Sequence, residues 1–518
     1  MKRKNRIICF FLRNLLRFDY FLIFYIIDNN KLSCAARLRT RCTNYAFNDP
    51  SDIKKRRKHM SDKPVKKIGL WNIVGLGVGG AIGSGIFVTL GSAIGMTGRS
   101  ILPITVICVF YMLLAYWYNL AMSGVFIVEG GDYSMKGMLL PPLLTGYGGW
   151  TNVIWAFGFT GYALSLTDYL SSLWPILGQY NRLTSAVLLT VFFLLTIRGN
   201  RVVTLFQNVA TILLIGALVL FVVVGIPNVN AAHFFSATYD GGFFHGGFMG
   251  MLSAIAIMGW ACQGTTMGPV GVVPITKNAK RTIPLGILIT CVVVSIVYGL
   301  MSYVAAGVLP YDQMANQNLS VTAAAIMSPG PFAFFVIGGG VCAIISSFLA
   351  VLAMIREPLS HMADDGWLPG LFRKKSSDGY PYFCFLMVYI VALVPILTGM
   401  SVDNAITMLM IPTMLINAYL NTACIIIPKK YPEQFAKRSL KIPTWFFYAC
   451  SVLGGVCALI IAITLFKDLT PGDAVVAAAI VIIPLIFSAI ALKRKSVDGA
   501  ILAQRREEIV EAALKAEE

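Results

Sequence analysis

The chain has 518 residues, of which 57% are apolar and 13% charged, and its mean hydropathy is +0.74. This composition excludes an ordinary soluble globular protein and predicts an all-α polytopic membrane protein. The net charge of +18 comes mostly from a basic N-terminal extension and from the Lys and Arg residues that set membrane topology, so it does not indicate nucleic-acid binding.

The N-terminal extension, residues 1–59, contains 15 Lys and Arg against 4 acidic residues. Its apolar runs, 7–16 and 20–27, are too short to cross a bilayer. Met60 precedes a second basic stretch and resembles a natural start, so we expect the extension to be dispensable upstream sequence. The alternative is a basic arm that lies on anionic lipid.

Twelve apolar segments follow, and each approaches the roughly 20 residues needed to cross the hydrocarbon. We predict membrane spans at about 72–96, 101–127, 150–175, 183–197, 203–226, 245–272, 284–308, 332–355, 382–400, 404–427, 444–466 and 474–492. Together they form a transporter domain over residues 60–495. Residues 496–518 are predicted to be a cytoplasmic amphipathic tail helix.

Basic residues predict the orientation of these spans. Of the 27 Lys and Arg after residue 59, 24 lie on one side of the predicted topology, leaving Arg99, Arg182 and Lys467 on the other. Because cytoplasmic loops carry the excess of Lys and Arg, both termini are predicted to be cytoplasmic, with the protein in the plasma membrane.

A glycine cluster interrupts the first span between Gly79 and Phe87, and it contains Gly83-Ser84-Gly85. Each Gly costs about 1 kcal/mol relative to Ala in a helix interior. Irregular backbone at membrane depth is tolerated only where it is buried in protein or lines a cavity. The alternative is that these glycines only permit close helix packing.

The sixth span carries a similar interruption, residues 258–268, five spans after the first. Breaks at corresponding positions of two halves are typical of transporters with an inverted repeat and a midplane site. We therefore predict twelve transmembrane helices in a five-plus-five inverted repeat with broken first and sixth helices. The repeats cover about 66–227 and 243–428, and two peripheral helices cover about 443–493.

Cysteine and histidine patterns predict neither a metal site nor an enzyme. Of 11 Cys, three are in the extension and eight lie in spans, without a Cys-x-x-Cys or a His cluster. Because no Cys lies in a predicted external loop, a disulfide-linked subunit is not expected. No cofactor is predicted.

Four stretches resemble the amino acid–polyamine–organocation (APC) superfamily of amino acid permeases. The resemblance covers about residues 66–495, and these motifs in this order are highly specific together. They are Gly-Ser-Gly-Ile-Phe at 83–87, Glu-Gly-Gly-Asp-Tyr at 129–133, Lys-Asn-Ala-Lys-Arg-Thr-Ile-Pro at 277–284, and the run from Arg356 to Pro369 with Met-Ala-Asp-Asp-Gly-Trp-Leu-Pro.

The resemblance implies the same twelve-helix fold and a site for an amino acid zwitterion. The carboxylate is expected on the exposed amides and hydroxyl of the first break, and the ammonium on free carbonyls of both breaks. Trp260 is expected to pack on the substrate or close the pocket; the alternative is an ordinary core or lipid-facing Trp. The implied substrate-binding residues are Ala81, Gly83, Ser84, Gly85, Trp260, Gln263 and Gly264. The positions in the second break assume that Trp260 is the residue aligned with the family pattern. If Gly259 is the aligned residue instead, the assigned positions in this break shift by several residues.

Three departures from the family pattern leave the coupling ion open. Neutral residues stand where many members carry ionisable groups: Asn119 in the second span, Thr265 and Thr266 in the sixth, and Leu213 or Leu214 in the fifth. Proton coupling, sodium coupling and substrate exchange all remain open.

Two further features inside the predicted spans are candidates for a functional role. Asp168 is the only Asp, Glu, Lys or Arg within them, and its place near the outer end of a span favours a solvated or capping role over a functional one. Ser346 and Ser347 resemble a hydroxyl pair that faces the first break in sodium-coupled relatives. The alternative is that they bond their own helix.

The sequence therefore predicts a secondary transporter for neutral amino acids that works by alternating access within the lipid bilayer. Neutral substrates are favoured because a charged side chain buried without a partner is costly, and the predicted pocket has no fixed charge. The alternatives are a polyamine or organic-cation carrier of the same fold, or a transport-inactive amino acid receptor.

Overall fold

Helices account for every predicted span in the computed structural model, which describes residues 67–128, 131–197, 200–230, 232–235, 243–376 and 379–515. The extension at residues 1–59 lies outside the described residues. The α-helices of seven residues or more are α1 (Leu70–Ile82), α2 (Gly85–Thr97), α3 (Ile101–Ala115), α4 (Trp117–Val125), α5 (Gly131–Leu139), α6 (Pro142–Ser171), α7 (Asn181–Ile197), α8 (Asn200–Gly225), α9 (Gly247–Cys262), α10 (Gly264–Val270), α11 (Ala279–Val308), α12 (Leu319–Ile326), α13 (Cys342–Met354), α14 (Arg356–Asp364), α15 (Tyr382–Thr398), α16 (Val402–Ala423), α17 (Thr444–Lys467), α18 (Pro471–Lys493) and α19 (Gly499–Lys515).

Eight helical stretches among the described residues are long and apolar enough to cross a membrane. They are Gly85–Ala115, Val209–Asn228, Gly247–Val270, Ala279–Val308, Pro329–Asp364, Val402–Lys430, Thr444–Lys467 and Pro471–Lys493. The all-helical, multi-pass architecture is therefore confirmed. The count of twelve spans and the five-plus-five repeat remain predictions.

The predicted second span is not one continuous helix. It divides at Tyr116 into α3 and α4. The Asn421 side chain of α16 accepts a hydrogen bond from the Tyr118 backbone N–H (2.9 Å) and donates one to the Ala115 carbonyl (2.9 Å). A side chain some 300 residues away thus satisfies backbone groups that lipid cannot, which is why the local sequence did not reveal this break.

The predicted eighth span also departs from a regular α-helix. A π-helical segment, Phe335–Val341, joins the short helix Pro329–Phe334 to α13. At Gly340 an added Cβ would lie 2.2 Å from the Tyr169 ring. Gly340 therefore lets α6 approach closely, which apolar periodicity alone does not indicate.

The two broken helices pack against each other reciprocally. α1 packs on α10 and α2 packs on α9, while α11 lies against both α1 and α3. The first half of each broken helix thus contacts the second half of the other. This arrangement is consistent with the predicted inverted repeat and places the two interruptions side by side.

The predicted amphipathic tail is α19, and it docks on the loops of the helical body. Arg505 forms an ion pair with Asp365 (2.7 Å), and Asp365 also accepts a hydrogen bond from the Tyr133 hydroxyl (2.7 Å). Trp367 donates its indole N–H to the same hydroxyl (2.7 Å). Two stretches that resemble the permeases, 129–133 and 356–369, therefore meet here, although residues 129–130 lie outside the described part.

Asp168 is half-buried near the C-terminal end of α6. Its carboxylate accepts a hydrogen bond from the Asn181 amide (3.1 Å), and its backbone carbonyl accepts one from the Ser171 hydroxyl (2.7 Å). These contacts stabilise the end of α6 and the start of α7.

Candidate functional site

The first break consists of two residues, Gly83 and Ser84, between the end of α1 and the start of α2. Both are buried, as is Gly85, whereas Gly80 just before the break is exposed. The Gly83 backbone (φ −49°, ψ −108°) leaves the helical region, so the α-helix is truly interrupted. The break lies where the glycine cluster predicted it.

The second break is much smaller than the predicted interruption at 258–268. Gln263 alone separates α9 from α10, and its backbone keeps helical dihedral angles (φ −57°, ψ −38°). Its N–H reaches the Trp260 carbonyl at 3.4 Å, and its own carbonyl accepts the Met267 N–H at 3.1 Å. The chain is therefore tightened here rather than unwound, because the Gly residues of this segment serve helix contact instead of bare backbone.

Glycine allows backbone-to-backbone contact where the breaks cross. An added Cβ at Gly264 would lie 2.1 Å from the Gly80 carbonyl carbon, and one at Gly85 would lie 2.3 Å from the Ala261 Cα. Backbone atoms cannot rotate away as side chains do. The requirement for glycine at Gly85 and Gly264 is thus explained by helix packing, the alternative that the sequence left open.

A tyrosine on α11 connects the two breaks. The fully buried Tyr298 hydroxyl lies 2.6 Å from the Ala81 carbonyl oxygen and 3.0 Å from the Ala261 carbonyl oxygen. Each of the three carbonyls that were predicted to hold an ammonium group, at Ala81, Trp260 and Gln263, therefore already accepts a hydrogen bond in this structure.

A serine on α13 contacts the first break from the other side. The Ser347 hydroxyl oxygen accepts the Ser84 backbone N–H at 2.9 Å. Ser347 is buried, and an added Cβ at Gly83 would lie 1.9 Å from its hydroxyl oxygen. The predicted approach of the serine pair to the first break is thus observed for Ser347, while Ser346 is half-buried.

Two aromatic rings, one from α6 and one from α9, pack together beside the first break. The Trp260 and Tyr162 rings have centroids 5.0 Å apart at an angle of 35°. Tyr162 also interacts through its hydroxyl with the Ser84 side chain. Trp260 is buried, so the alternative of a lipid-facing Trp is wrong.

Uncharged polar groups surround the remaining side of the second break. The Asn119 amide donates to the Thr266 hydroxyl (3.3 Å), and the Gln263 amide nitrogen lies 2.6 Å from the Met410 sulfur. Among the described residues, the amide oxygens of Asn119 and Gln263 have no hydrogen-bond partner. Buried polar atoms of this kind are what a polar ligand or water would satisfy.

Sequence reasoning missed Tyr298 and Tyr162. Neither belongs to a motif that resembles the permeases, and each contacts the breaks only through tertiary packing. The available signal was a tyrosine in the middle of an otherwise apolar span, since a buried Tyr usually has a partner for its hydroxyl.

Comparisons of the sequence with known proteins identify related membrane proteins. The sequence matches a model of the amino acid permease family over residues 68–489. It is 24% identical over 335 residues to the methylthioribose transporter of Bacillus subtilis (strain 168), which covers 61% of this chain and 70% of that protein. It is 29% identical over 198 residues to the uncharacterized amino acid permease YvbW of the same organism, which covers 37% of this chain and 44% of that protein.

Proposed function

Because this chain belongs to the amino acid permease family, and is therefore a multi-pass membrane transporter, we propose that it carries neutral amino acids by alternating access. The proposed substrate-binding residues are those at the two breaks, Ala81, Gly83, Ser84, Gly85, Gln263 and Gly264, together with Trp260. The proposed location is the plasma membrane.

The observation that carries this proposal is the chemistry of the first break. The Ser84 amide lies at the start of α2, where the helix dipole and free N–H groups favour an anion. The Ala81 carbonyl, a few residues earlier at the end of α1, offers an acceptor for a cation. A zwitterionic α-amino acid carries both an anionic and a cationic group next to each other, which supports an amino acid substrate.

The uncharged surroundings support a neutral side chain on the substrate. The side chains that contact the breaks, Ser347, Tyr298, Tyr162, Asn119 and Thr266, carry no charge at neutral pH. A cationic substrate side chain would lack a fixed partner there and would pay the cost of an unpaired buried charge. This argues against the polyamine or organic-cation alternative.

A neutral non-amino-acid solute is the second candidate, since one relative is named a methylthioribose transporter. The two amide oxygens without partners would accept hydrogen bonds from hydroxyl groups of such a solute. A thermal-stability screen of the purified protein separates the candidates. The panel comprises neutral amino acids, arginine, putrescine and methylthioribose.

A ligand at 100 times its dissociation constant should stabilise the protein by about 2.7 kcal/mol, and we expect a neutral amino acid to do so. Stabilisation by putrescine or methylthioribose alone would contradict the proposal. Uptake of the stabilising compound into proteoliposomes then distinguishes a transporter from a transport-inactive receptor, which would bind without uptake.

The proposed topology has both termini in the cytoplasm, as the Lys/Arg distribution favours. Gln317 and Lys374 are both exposed, and lie before α12 and after α14 respectively. In intact cells, a Gln317→Cys protein should react with a membrane-impermeant thiol reagent, whereas a Lys374→Cys protein should react only after permeabilisation. The unmodified protein provides the background, and the reverse labelling pattern would refute the orientation.

Transport is proposed to be independent of sodium. Ser347 contacts the first break, but its hydroxyl oxygen faces the Ser84 N–H, and the partial positive charge of that N–H disfavours a cation at the same oxygen. Replacing external sodium with choline at constant pH should therefore leave uptake unchanged. A loss of uptake or of substrate affinity in choline would instead support a cation held by serine and carbonyl oxygens.

A further inference from the structure

The two ends of the proposed zwitterion site are each occupied by a side chain of the protein itself. Ser347 supplies an oxygen acceptor to the Ser84 N–H at 2.9 Å, where a substrate carboxylate oxygen would lie. Tyr298 supplies a hydroxyl donor to the Ala81 carbonyl at 2.6 Å, where a substrate ammonium would lie. Each side chain offers a hydrogen-bonding group of the same type as the substrate group it replaces, an acceptor for the carboxylate and a donor for the ammonium.

The Ser347 contact cannot coexist with the substrate group it replaces, whereas the Ala81 carbonyl oxygen has two lone pairs and can accept a substrate ammonium beside the Tyr298 hydroxyl. A backbone N–H donates along one direction, and the space beside Gly83 is filled by the Ser347 hydroxyl, since an added Cβ there would lie 1.9 Å from it. A substrate carboxylate that accepts the Ser84 N–H must therefore displace the Ser347 hydroxyl.

The Tyr298 hydroxyl has only one proton to share between two carbonyls, those of Ala81 and Ala261. It donates to one and leaves the other with a weaker contact. When a substrate ammonium takes the Ala81 carbonyl, the hydroxyl proton is free to serve Ala261 instead. The tyrosine can thus exchange partners without leaving either break unsatisfied.

Taking the proposed function as given, we propose that Ser347 and Tyr298 act as internal substitutes for the substrate, so that the empty carrier can change conformation and catalyse net transport instead of obligatory exchange. The physical reason is the cost of unpaired backbone groups at membrane depth. If only the substrate could hydrogen-bond the backbone groups of the break, these groups would lack partners in the empty carrier, and its conformational change would be slow. Here these groups have hydrogen-bond partners both with and without substrate.

The test compares two transport modes in proteoliposomes that contain the amino acid giving the largest thermal stabilisation. Net uptake is measured with an empty lumen, and exchange with a lumen preloaded with the unlabelled amino acid. The wild-type protein should show net uptake within about threefold of exchange. Exchange without net uptake in the wild-type protein would overturn the proposal.

Ser347→Ala and Tyr298→Phe should each lower the ratio of net uptake to exchange at least tenfold. Net uptake requires the empty carrier to return, and only the empty carrier depends on the hydroxyl that these variants remove. Ser347→Thr keeps the hydroxyl and should restore the ratio. Two matched controls remove hydroxyls that serve other contacts: Thr89→Val, whose hydroxyl bonds the Gly85 carbonyl of its own helix, and Tyr111→Phe, whose hydroxyl bonds the Cys457 carbonyl. Both should leave the ratio unchanged.

Equal loss of both modes in the Ser347 and Tyr298 variants would show a merely structural role and overturn the inference. Amide hydrogen exchange at Ser84 provides a readout that does not depend on transport. It should be faster in Ser347→Ala than in wild type, and substrate should slow it again; equal rates would also overturn the inference. If no amino acid binds or is transported, the proposed function fails, whereas the Ser84 exchange comparison between empty proteins still decides the role of Ser347.

Discussion

A Gly264→Ala protein should lose substrate uptake, by at least roughly tenfold, because the two broken helices can no longer touch. The added Cβ would lie 2.1 Å from the Gly80 carbonyl carbon and 2.4 Å from the Ala81 nitrogen. Overpacking costs about 1–3 kcal/mol where side chains can shift, and here the obstacle is backbone. The separation would also move the Ala81 carbonyl away from Tyr298. Proteoliposome uptake and thermal stability measure the effect.

The matched control is Gly79→Ala on α1. An added Cβ at Gly79 meets nothing within 4 Å, and alanine improves helix propensity by about 1 kcal/mol relative to glycine. This protein should keep its uptake and be as stable as wild type or more so. If Gly264→Ala transports as well as Gly79→Ala, close contact between the breaks is not needed for transport.

An Asn421→Leu protein should unfold at a much lower temperature than wild type. Its amide satisfies the Tyr118 N–H and the Ala115 carbonyl at the division between α3 and α4. Leucine is similar in size but cannot form hydrogen bonds, so both backbone groups would be left buried without partners. Each buried backbone group without a partner lowers the free energy of unfolding by about 1–3 kcal/mol. Thermal unfolding of the purified protein in detergent measures the change.

Asn417 provides the comparison, one helical turn earlier on α16. It is also fully buried, but its side-chain amide forms no hydrogen bond of normal geometry among the described residues and has only a weaker interaction with the Tyr116 hydroxyl. Asn417→Leu should therefore destabilise the protein much less than Asn421→Leu, since it leaves no backbone group without a partner. Equal destabilisation by the two substitutions would refute the capping role assigned to Asn421.

Composition and local pattern were sufficient for much of the architecture. The apolar segments predicted the helices, because crossing a bilayer requires long apolar runs whose backbone bonds are satisfied internally. The Gly83-Ser84-Gly85 cluster located the first break, since glycine disfavours a helix wherever it occurs. The pattern of Arg505, Arg506 and neighbouring acids predicted the tail helix, observed as Gly499–Lys515.

Features that depend on distant partners could not be predicted in this way. The sixth-span glycines suggested an unwound segment, yet only Gln263 interrupts the helix. A glycine permits either an open backbone or close packing, and the choice depends on what faces it. At Gly264 it is the Gly80 backbone, which no local pattern reveals.

The sequence by itself determined the class of protein, the positions of its helices, the first break and, through its motifs, the permease family. Each of these follows from properties of contiguous residues. Only the tertiary structure decided the hydrogen-bond partners at the breaks, because those partners lie far away in the chain: Ser347 is 263 residues from Ser84, and Tyr298 is 217 residues from Ala81. Their contacts exist only once α11 and α13 have packed against the first broken helix.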